Sequence, residues 1–405
     1  MDLKRHPDDF RVVEELEFER SPRGVHHVHL MRKEKMDTLE AVSIIAREAK
    51  VPRETIAFAG LKDRQGCTEQ WISIQDQKVD LRMQGLSVRF VARSDQPVTS
   101  KLSQGNRFEI VVRDLSEMEL EDAGRSLSAV AEGGYANYFD DQRFGCLQHG
   151  QGFAMYEILT GRHDRALHRL LARPSRVARS GDVKLKRLFA RHWGDWEACG
   201  RIVRGPLYRG VFDHLRAHPD DFRGALAALP TRFKLIHAFA YQSFLWNRAV
   251  ARLLYRTLRS HERRRTRNLS GELTVWGDLR PDRIREIHAF RTPLCGAGGR
   301  GGDREFRAAM RQVFEDEGLP IGALERQDVP GMEIREEDRA IAVVPRNLKM
   351  SRPFADDSFR GRSCVTLSFG LPRGSYATML IKRLFLRNPR RGDPSSHSPR
   401  KSRDS

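Results

Sequence analysis

Long apolar runs are missing from this sequence. No window approaches the roughly 18 consecutive apolar residues that a membrane-spanning helix requires. The opening MDLKRHPDDF carries no apolar core of a secretion signal. Cysteine is scarce. Cys67, Cys146, Cys199, Cys295 and Cys364 are odd in number and scattered, and no two form a Cys-x-x-Cys pair. That argues against a disulfide framework or a zinc site and fits reduced thiols in a cytoplasm. A metal-ligand set is lacking too. His26, His27 and His29 stand close together, but no carboxylate or cysteine completes them, so a strand with partly exposed histidines is expected. Gly296 to Gly301 fits Gly-x-Gly-x-x-Gly, yet it follows no strand and opens no βαβ unit, which argues against a dinucleotide site. No internal repeat, helix-turn-helix or zinc-finger pattern is present.

Acidic charge is also in short supply. Against 72 Lys and Arg stand 54 Asp and Glu, a formal net charge of +18 over 405 residues. The excess is mostly arginine and points to a polyanionic partner, with nucleic acid as the default. The length is sufficient for two domains with real cores.

Strand-like alternation and helical periodicity interleave in the first part of the chain. Val25 to Met31 reads as a strand. Asp37 to Lys50 reads as a helix, with Asp37 as cap, Glu40 in a capping-box position and Pro52 beyond its end. Alternating runs follow at Leu86 to Arg93 and Arg107 to Arg113, then an amphipathic helix over Glu117 to Ala131, stopped by Gly133-Gly134. Strands that alternate in polarity favour a mostly antiparallel sheet with helices on one face, an α+β arrangement. From about 150 to 345 the pattern is mainly helical, clearest over Lys234 to Arg252 and Asp303 to Glu317, with an Arg-rich segment at 259–267 read as a loop. A strand at Cys364 to Phe369 and a short helix after Gly374-Ser375 close the ordered part. Beyond Leu386 the chain offers nothing to bury and is expected to be a disordered basic tail. The order suggests one domain inserted into another.

The stretch most dense in chemistry is FAGLKDRQGCTEQWISI, from Phe58 to Ile74. It sets Asp63 between Lys62 and Arg64 on a Gly-containing loop and leaves through a half-buried strand. Reactive side chains are often carried on a loop positioned by such a scaffold. On spacing alone, Lys-Asp-Arg reads as solvated loop charge. A second dense motif is NYFDDQRFG, Asn137 to Gly145, whose aromatics, amide and Arg could hold a base. On sequence alone, core aromatics are the commoner reading.

Together these strings closely resemble the signatures of the TruD family of tRNA pseudouridine synthases. Ala-Gly-Leu-Lys-Asp-Arg followed by Thr and Gln is its central motif, and the resemblance implies that Asp63 is the catalytic residue, with Lys62 beside it in the substrate site. The family's Asn-Tyr-Phe-Gly-x-Gln-Arg-Phe-Gly implies that Asn137 binds substrate and that Phe139 stacks on the target base. Asp140 stands where the family has Gly. Asp8-Asp9-Phe10-Arg11-Val12 is similar to the family's Glu-Asp-Phe-x-Val, which implies Phe10 in the substrate site. Lys4, six residues earlier, takes the part of an Arg that pairs with the catalytic Asp in other pseudouridine synthases. Leu367-Ser368-Phe369 through Thr378 resembles the closing motif and implies that Phe369 contacts substrate. From the residues alone, Phe369 is a core strand residue, a contact, or both. Tyr241 to Asn247 resembles a helix of the family's insertion domain and reads as scaffold. Thr292-Pro293-Leu294-x-Gly296 is a looser match to a family loop.

The resemblance implies a pseudouridine-synthase catalytic domain over 1–160 and 345–386, a largely helical insertion domain over 161–344, and the basic tail at 387–405. It implies tRNA as partner, uridine 13 of the D-arm as target, and no cofactor, metal or membrane. A cytoplasmic monomer is expected. Whether Asp63 acts as nucleophile or base is open. The alternative is a non-catalytic RNA-binding or RNA-chaperone protein on the same fold.

Overall fold

The computed structural model describes residues 1–62, 64–147, 152–175, 178, 180–203, 205–295, 301–334 and 336–387. The chain forms two compact units. One comprises Met1–Tyr135 and the chain from Val343 onward, the other Ala136–Ala342. The division thus precedes residue 160, the boundary set from the sequence. The tail from 388 and the Gly-rich stretch at 296–300 lie outside the described residues.

In the first unit, β1 (Phe10–Leu16) and β2 (His26–Glu34) precede α1 (Thr38–Ala49). Then come β3 (Ile56–Phe58), β4 (Cys67–Gln75), β5 (Leu81–Met83), β6 (Leu86–Ser94), β7 (Ser103–Leu115) and α2 (Glu117–Gly133). The chain leaves through β8 (Tyr135–Ala136). The second unit begins with six helices: α3 (Ala154–Leu159), α4 (His163–Ala172), α5 (Ser180–Arg191), α6 (Trp196–Ile202), α7 (Pro206–Ala217) and α8 (Phe222–Ala227). The long α9 (Thr231–Thr257), the hairpin β9 (Arg263–Asn268) and β10 (Gly271–Trp276), α10 (Pro281–Ala289) and α11 (Arg304–Asp316) complete it. The return is through β11 (Ala342–Val343), which pairs with β8. Then β12 (Arg346–Met350), β13 (Phe354–Ala355), β14 (Ser363–Leu371) and α12 (Ala377–Leu384) finish the first unit.

The main sheet has ten strands. Its path is β12-β14-β7-β1-β4-β2-β6-β5, with β13 on β14 and β3 on β4. The β1–β4 pair is parallel; the other described pairs in this sheet are antiparallel. The fold is therefore α+β with a mixed, mostly antiparallel sheet. Alternation in the strands drives this: β1 buries Phe10, Val12 and Glu14 and turns Arg11 outward. Helix α1 lays Ala41, Val42 and Ile45 onto Met31, Ile72 and Ile74. Each fully buried Val or Ile there contributes about 1.5–3 kcal/mol.

Three sequence expectations change. The Asp37 carboxylate caps α1 by accepting from Glu40 N, but the reciprocal half of a capping box is absent. The Glu40 carboxylate accepts instead from Arg64, at 2.7 Å. The Arg-rich stretch is not a loop: Arg263–Asn268 pairs antiparallel with Gly271–Trp276. And His27 and His29 are buried, not partly exposed.

His29 has a use. Its Nε2 accepts from Val79 N at 3.0 Å, which requires the neutral ring. Burial lowers its pKa from 6.5 to about 4. The unfolded chain therefore binds the proton first as pH falls. The stability that depends on a neutral ring is full above pH 6.5 and is lost as pH falls toward 4, by about 3 kcal/mol in all. Urea midpoints between pH 7.5 and 4.5 should fall accordingly, and His29→Gln, which cannot protonate, should flatten part of that slope.

Candidate active site

The loop from Ala59 to Gly66 joins two strands that pair antiparallel with each other, β3 and β4, and Gly60, Lys62 and Arg64 in it are tied down. Lys62 N donates to Thr38 Oγ1 at 2.9 Å, and that hydroxyl donates to Gln70 Oε1 at 3.0 Å. The Gln70 amide in turn donates to the Gly60 carbonyl. Lys33, only 1% exposed, donates to Met36 O at 2.7 Å and Lys62 O at 3.3 Å. The Lys62 ammonium reaches Glu14 Oε1 at 2.6 Å, while the other oxygen of Glu14 accepts from Trp71 N at 3.0 Å. With Arg64 on Glu40, both neighbours of Asp63 are anchored by carboxylates. Asp63 itself lies outside the described residues.

Gly66 explains how the loop meets β1. Its φ is +120°, and a Cβ there would lie 2.4 Å from the Phe10 carbonyl oxygen. Only glycine permits this approach and this backbone conformation together. The loop therefore runs hard against the backbone of Phe10 before β4 pairs with β1, Arg11 opposite Cys67.

Phe10 begins an aromatic row across three strands. Its ring meets Phe108 edge-on, with centroids 6.3 Å apart, and Phe108 stacks on Phe369 at 5.3 Å and 22°. The register causes this: Phe108 stands opposite Val12 on β1 and opposite Phe369 on β14. The Lys4 ammonium lies 4.3 Å from the Phe10 ring centroid, a cation–π contact. So Lys4, Phe10, Lys62 and Phe369 all fall in the first unit. Phe108, which joins two of them, was invisible as a site residue in the sequence because only the strand register puts it between them. Lys33 and Glu14 were missed for the same reason; each looks like an ordinary strand charge. Asp9, beside Phe10, accepts from Arg113 Nε and Nη2, both at 2.9 Å.

Asn137 and Phe139 fall in the second unit. Asn137 N donates to Ile341 O at 2.8 Å, and its side-chain amide donates to Ala340 O at 3.0 Å. The Phe139 backbone is bracketed from α9: its N–H donates to Asn247 Oδ1 at 3.0 Å, and its carbonyl accepts from Asn247 Nδ2 at 2.8 Å. Asn268, at the end of β9, donates to the same carbonyl at 2.7 Å. The neighbouring Tyr138 hydroxyl donates to Thr274 O on β10 at 2.6 Å. Thus Asn247 of the α9 motif holds the Phe139 peptide, while Gln242 and Trp246 donate to Cys295 O and Thr292 O at 2.8 and 2.6 Å. The Phe139 ring is 3% exposed. Trp246 meets it edge-on at 5.7 Å, and the Arg339 guanidinium lies 3.8 Å from its centroid.

Among the described residues no group of three or more His, Cys, Asp or Glu is placed to hold a metal ion, and no helix is long and apolar enough to cross a membrane.

This architecture has a counterpart among solved structures. The crystal structure of a TruD protein from Methanosarcina mazei matches with a TM-score of 0.66 at 22% identity, covering 95% of this chain and 93% of that one. That likeness bears on the fold. The family follows from sequence: the model of tRNA pseudouridine synthase D (TruD) matches residues 1–384, and the chain belongs to this family of pseudouridine-forming isomerases. Similar proteins include the tRNA pseudouridine synthase D of Aquifex aeolicus, 29% identical over 391 residues, 95% of this chain and 97% of that protein. That of Leptospira interrogans is 26% identical over 399 residues, 96% of each chain.

Proposed function

We propose that this chain converts a uridine of tRNA to pseudouridine, with uridine 13 of the D-arm as its target and Asp63 as the residue that carries the chemistry. The observation that bears most weight is the loop: Lys62 and Arg64 are fixed on either side of Asp63, and Gly66 presses the same loop against Phe10. Chemistry at a single carbon needs a precisely held group, and the anchored neighbours support Asp63 in that part.

The reaction is an isomerisation. The bond from uracil nitrogen 1 to the anomeric carbon breaks, the uracil turns, and its carbon 5 bonds to the sugar and gives up its proton, while nitrogen 1 takes one up. Atoms and electrons balance within the substrate, so no cofactor is required. Asp63 acts ionised, as nucleophile at the anomeric carbon or as base at the 2′ carbon. A cation nearby keeps a carboxylate ionised against the effect of burial, a part suited to Lys4 or Lys62. The target base must leave its stack at a cost of a few kcal/mol. Phe10, Phe369 and Phe139 are the rings assigned to offset that cost. Asn137 is the side chain assigned to hydrogen-bond the base. The inserted helical unit corresponds to the family's insertion domain. The net charge of +18 suits a tRNA partner. We place the protein in the cytoplasm as a monomer.

Incubation of the purified chain with an unmodified tRNA transcript, followed by position-resolved pseudouridine mapping, tests the reading. One new pseudouridine at position 13 is the expected result. Binding without pseudouridine at any position would instead establish the non-catalytic alternative.

A further inference from the structure

Arg339 was not among the residues that the sequence motifs singled out, yet it touches both members of the second unit's candidate site. Its Nε and Nη2 donate to the Asn137 carbonyl at 3.2 and 2.6 Å, and Nη2 also donates to the Asn137 side-chain oxygen at 3.1 Å. The guanidinium carbon stands 3.8 Å from the Phe139 ring centroid and 5.0 Å from that of Trp246. The first distance is that of a plane stacked on a plane, favourable for a guanidinium on an aromatic face.

Two consequences follow from this geometry. The bond to the Asn137 side-chain oxygen, with the amide nitrogen held by Ala340 O, settles which end of the amide faces which way. An amide that could flip would offer a base either a donor or an acceptor; a locked one offers a fixed pattern. The Arg339 guanidinium also lies on the Phe139 ring, over which Arg143 stands at 5.1 Å and against which Trp246 packs edge-on, so the plane of the buried ring is fixed. Arg339 itself is held from behind. Its carbonyl accepts from Thr292 Oγ1 at 2.9 Å, and the Thr292 carbonyl accepts from Trp246 Nε1 at 2.6 Å. Trp246 closes the circuit against the edge of Phe139. A phosphate-binding arginine would be expected to reach into solvent with its fork open. This one spends three hydrogen bonds and a ring face on two neighbours.

We infer that Arg339 is a positioning residue: it fixes the orientation of the Asn137 amide and the plane of the Phe139 ring, and so sets the pose of the uracil ring. The inference rests on the reading of Asn137 and Phe139 as substrate contacts. It separates Arg from Lys. A lysine keeps the charge and most of the reach but has neither the plane to stack nor the fork to bond the carbonyl and the amide together.

The test is single-turnover pseudouridine formation at saturating tRNA for Arg339→Lys, Arg339→Ala, Phe139→Ala and the double variant Phe139→Ala with Arg339→Ala. tRNA affinity and melting temperature are measured on the same preparations. Misplacement of a reacting ring by about 1 Å costs up to about 100-fold, so both single Arg339 variants should slow turnover about 10- to 100-fold with affinity nearly unchanged. The double variant should lose less than the product of the two single losses, because the arginine works partly through the ring and otherwise through the amide. A slow Phe139→Ala beside a wild-type Arg339→Lys would overturn the inference and leave the site reading intact. Additive losses, or lost affinity in place of lost rate, would overturn it as well. Wild-type turnover by Phe139→Ala would overturn the reading of Phe139 on which the inference stands. Should Arg339→Ala melt early, Arg339→Lys, which keeps stem and charge, carries the comparison.

Discussion

Asp63→Asn should abolish pseudouridine formation while leaving the fold and tRNA binding in place. The exchange preserves shape and removes a negative charge, and a neutral amide is a far poorer nucleophile and base than a carboxylate. The fold should survive because the loop's anchors belong to other residues. Lys62 is held by Glu14, Arg64 by Glu40, and the loop backbone by Thr38, Lys33 and Gln70. None of these bonds depends on the residue at 63. Affinity for tRNA should hold or rise slightly, since a negative charge has left a phosphate-binding protein. The measurement is single-turnover formation on a transcript, with binding and melting temperature alongside. A mutant that retains substantial activity with a wild-type melting temperature would place the chemistry on another residue.

The largest expected loss of stability belongs to Arg113→Met. Arg113 is buried and holds three carboxylates: Asp9 by two bonds of 2.9 Å, Asp356 at 3.1 Å and Asp357 at 2.7 Å. Asp9 and Asp356 are themselves buried, and Asp356 also accepts from Asp114 N at 2.8 Å. Methionine would fill the space but leave two buried carboxylates facing each other without their cation. Breaking one side of a buried ion pair costs about 3–5 kcal/mol, and urea unfolding should register a loss of that size. Arg125→Met is the contrast. Its side chain is half exposed, but its partner Asp122 is buried on the same helix, so the loss should be smaller than at Arg113, where two buried carboxylates lose their cation together. Equal effects from the two variants would show that the Arg113 cluster is worth no more than a single half-exposed pair. Because Asp9 precedes Phe10, loosening it should also slow turnover.

These residues show what the sequence could and could not convey. Alternation and helical periodicity sufficed for β2, α1, β6, α2, α9 and β14, because each buries one face of a regular element and local spacing records that. The α+β class followed. Strand β9 escaped for the opposite reason. Arg263 lies on Tyr255 at 4.1 Å and Arg265 pairs with Glu272, so this strand is held by its hairpin partner and by charged side chains lying along a surface. No apolar alternation is needed for that, and none is written. Motif likeness pointed to Asp63, Asn137 and Phe139, but it was silent on how they are held. Glu14, Lys33, Asn247 and Arg339 act across separations of 29 to 202 residues, through a register or a turn that no local window contains. Asp9 shows the same divide within one motif: it sits beside Phe10 in sequence, yet its carboxylate serves Arg113.

The short pair formed by β8 and β11 bears on how the chain assembles. The central sheet cannot close until Asn106 finds Leu371 across from it, and searching for a partner so distant along the chain is slow and entropically expensive. Residues 136–342 are contiguous and can form their own core first. Once they have, β8 on β11 brings the two flanks together, and the loop still to be closed shrinks to the flanks alone. That is roughly two doublings of length, or about 1 kcal/mol of closure entropy. The inserted unit, which leaves the ribosome before β14 does, thereby lowers the closure cost for the last strands of the sheet.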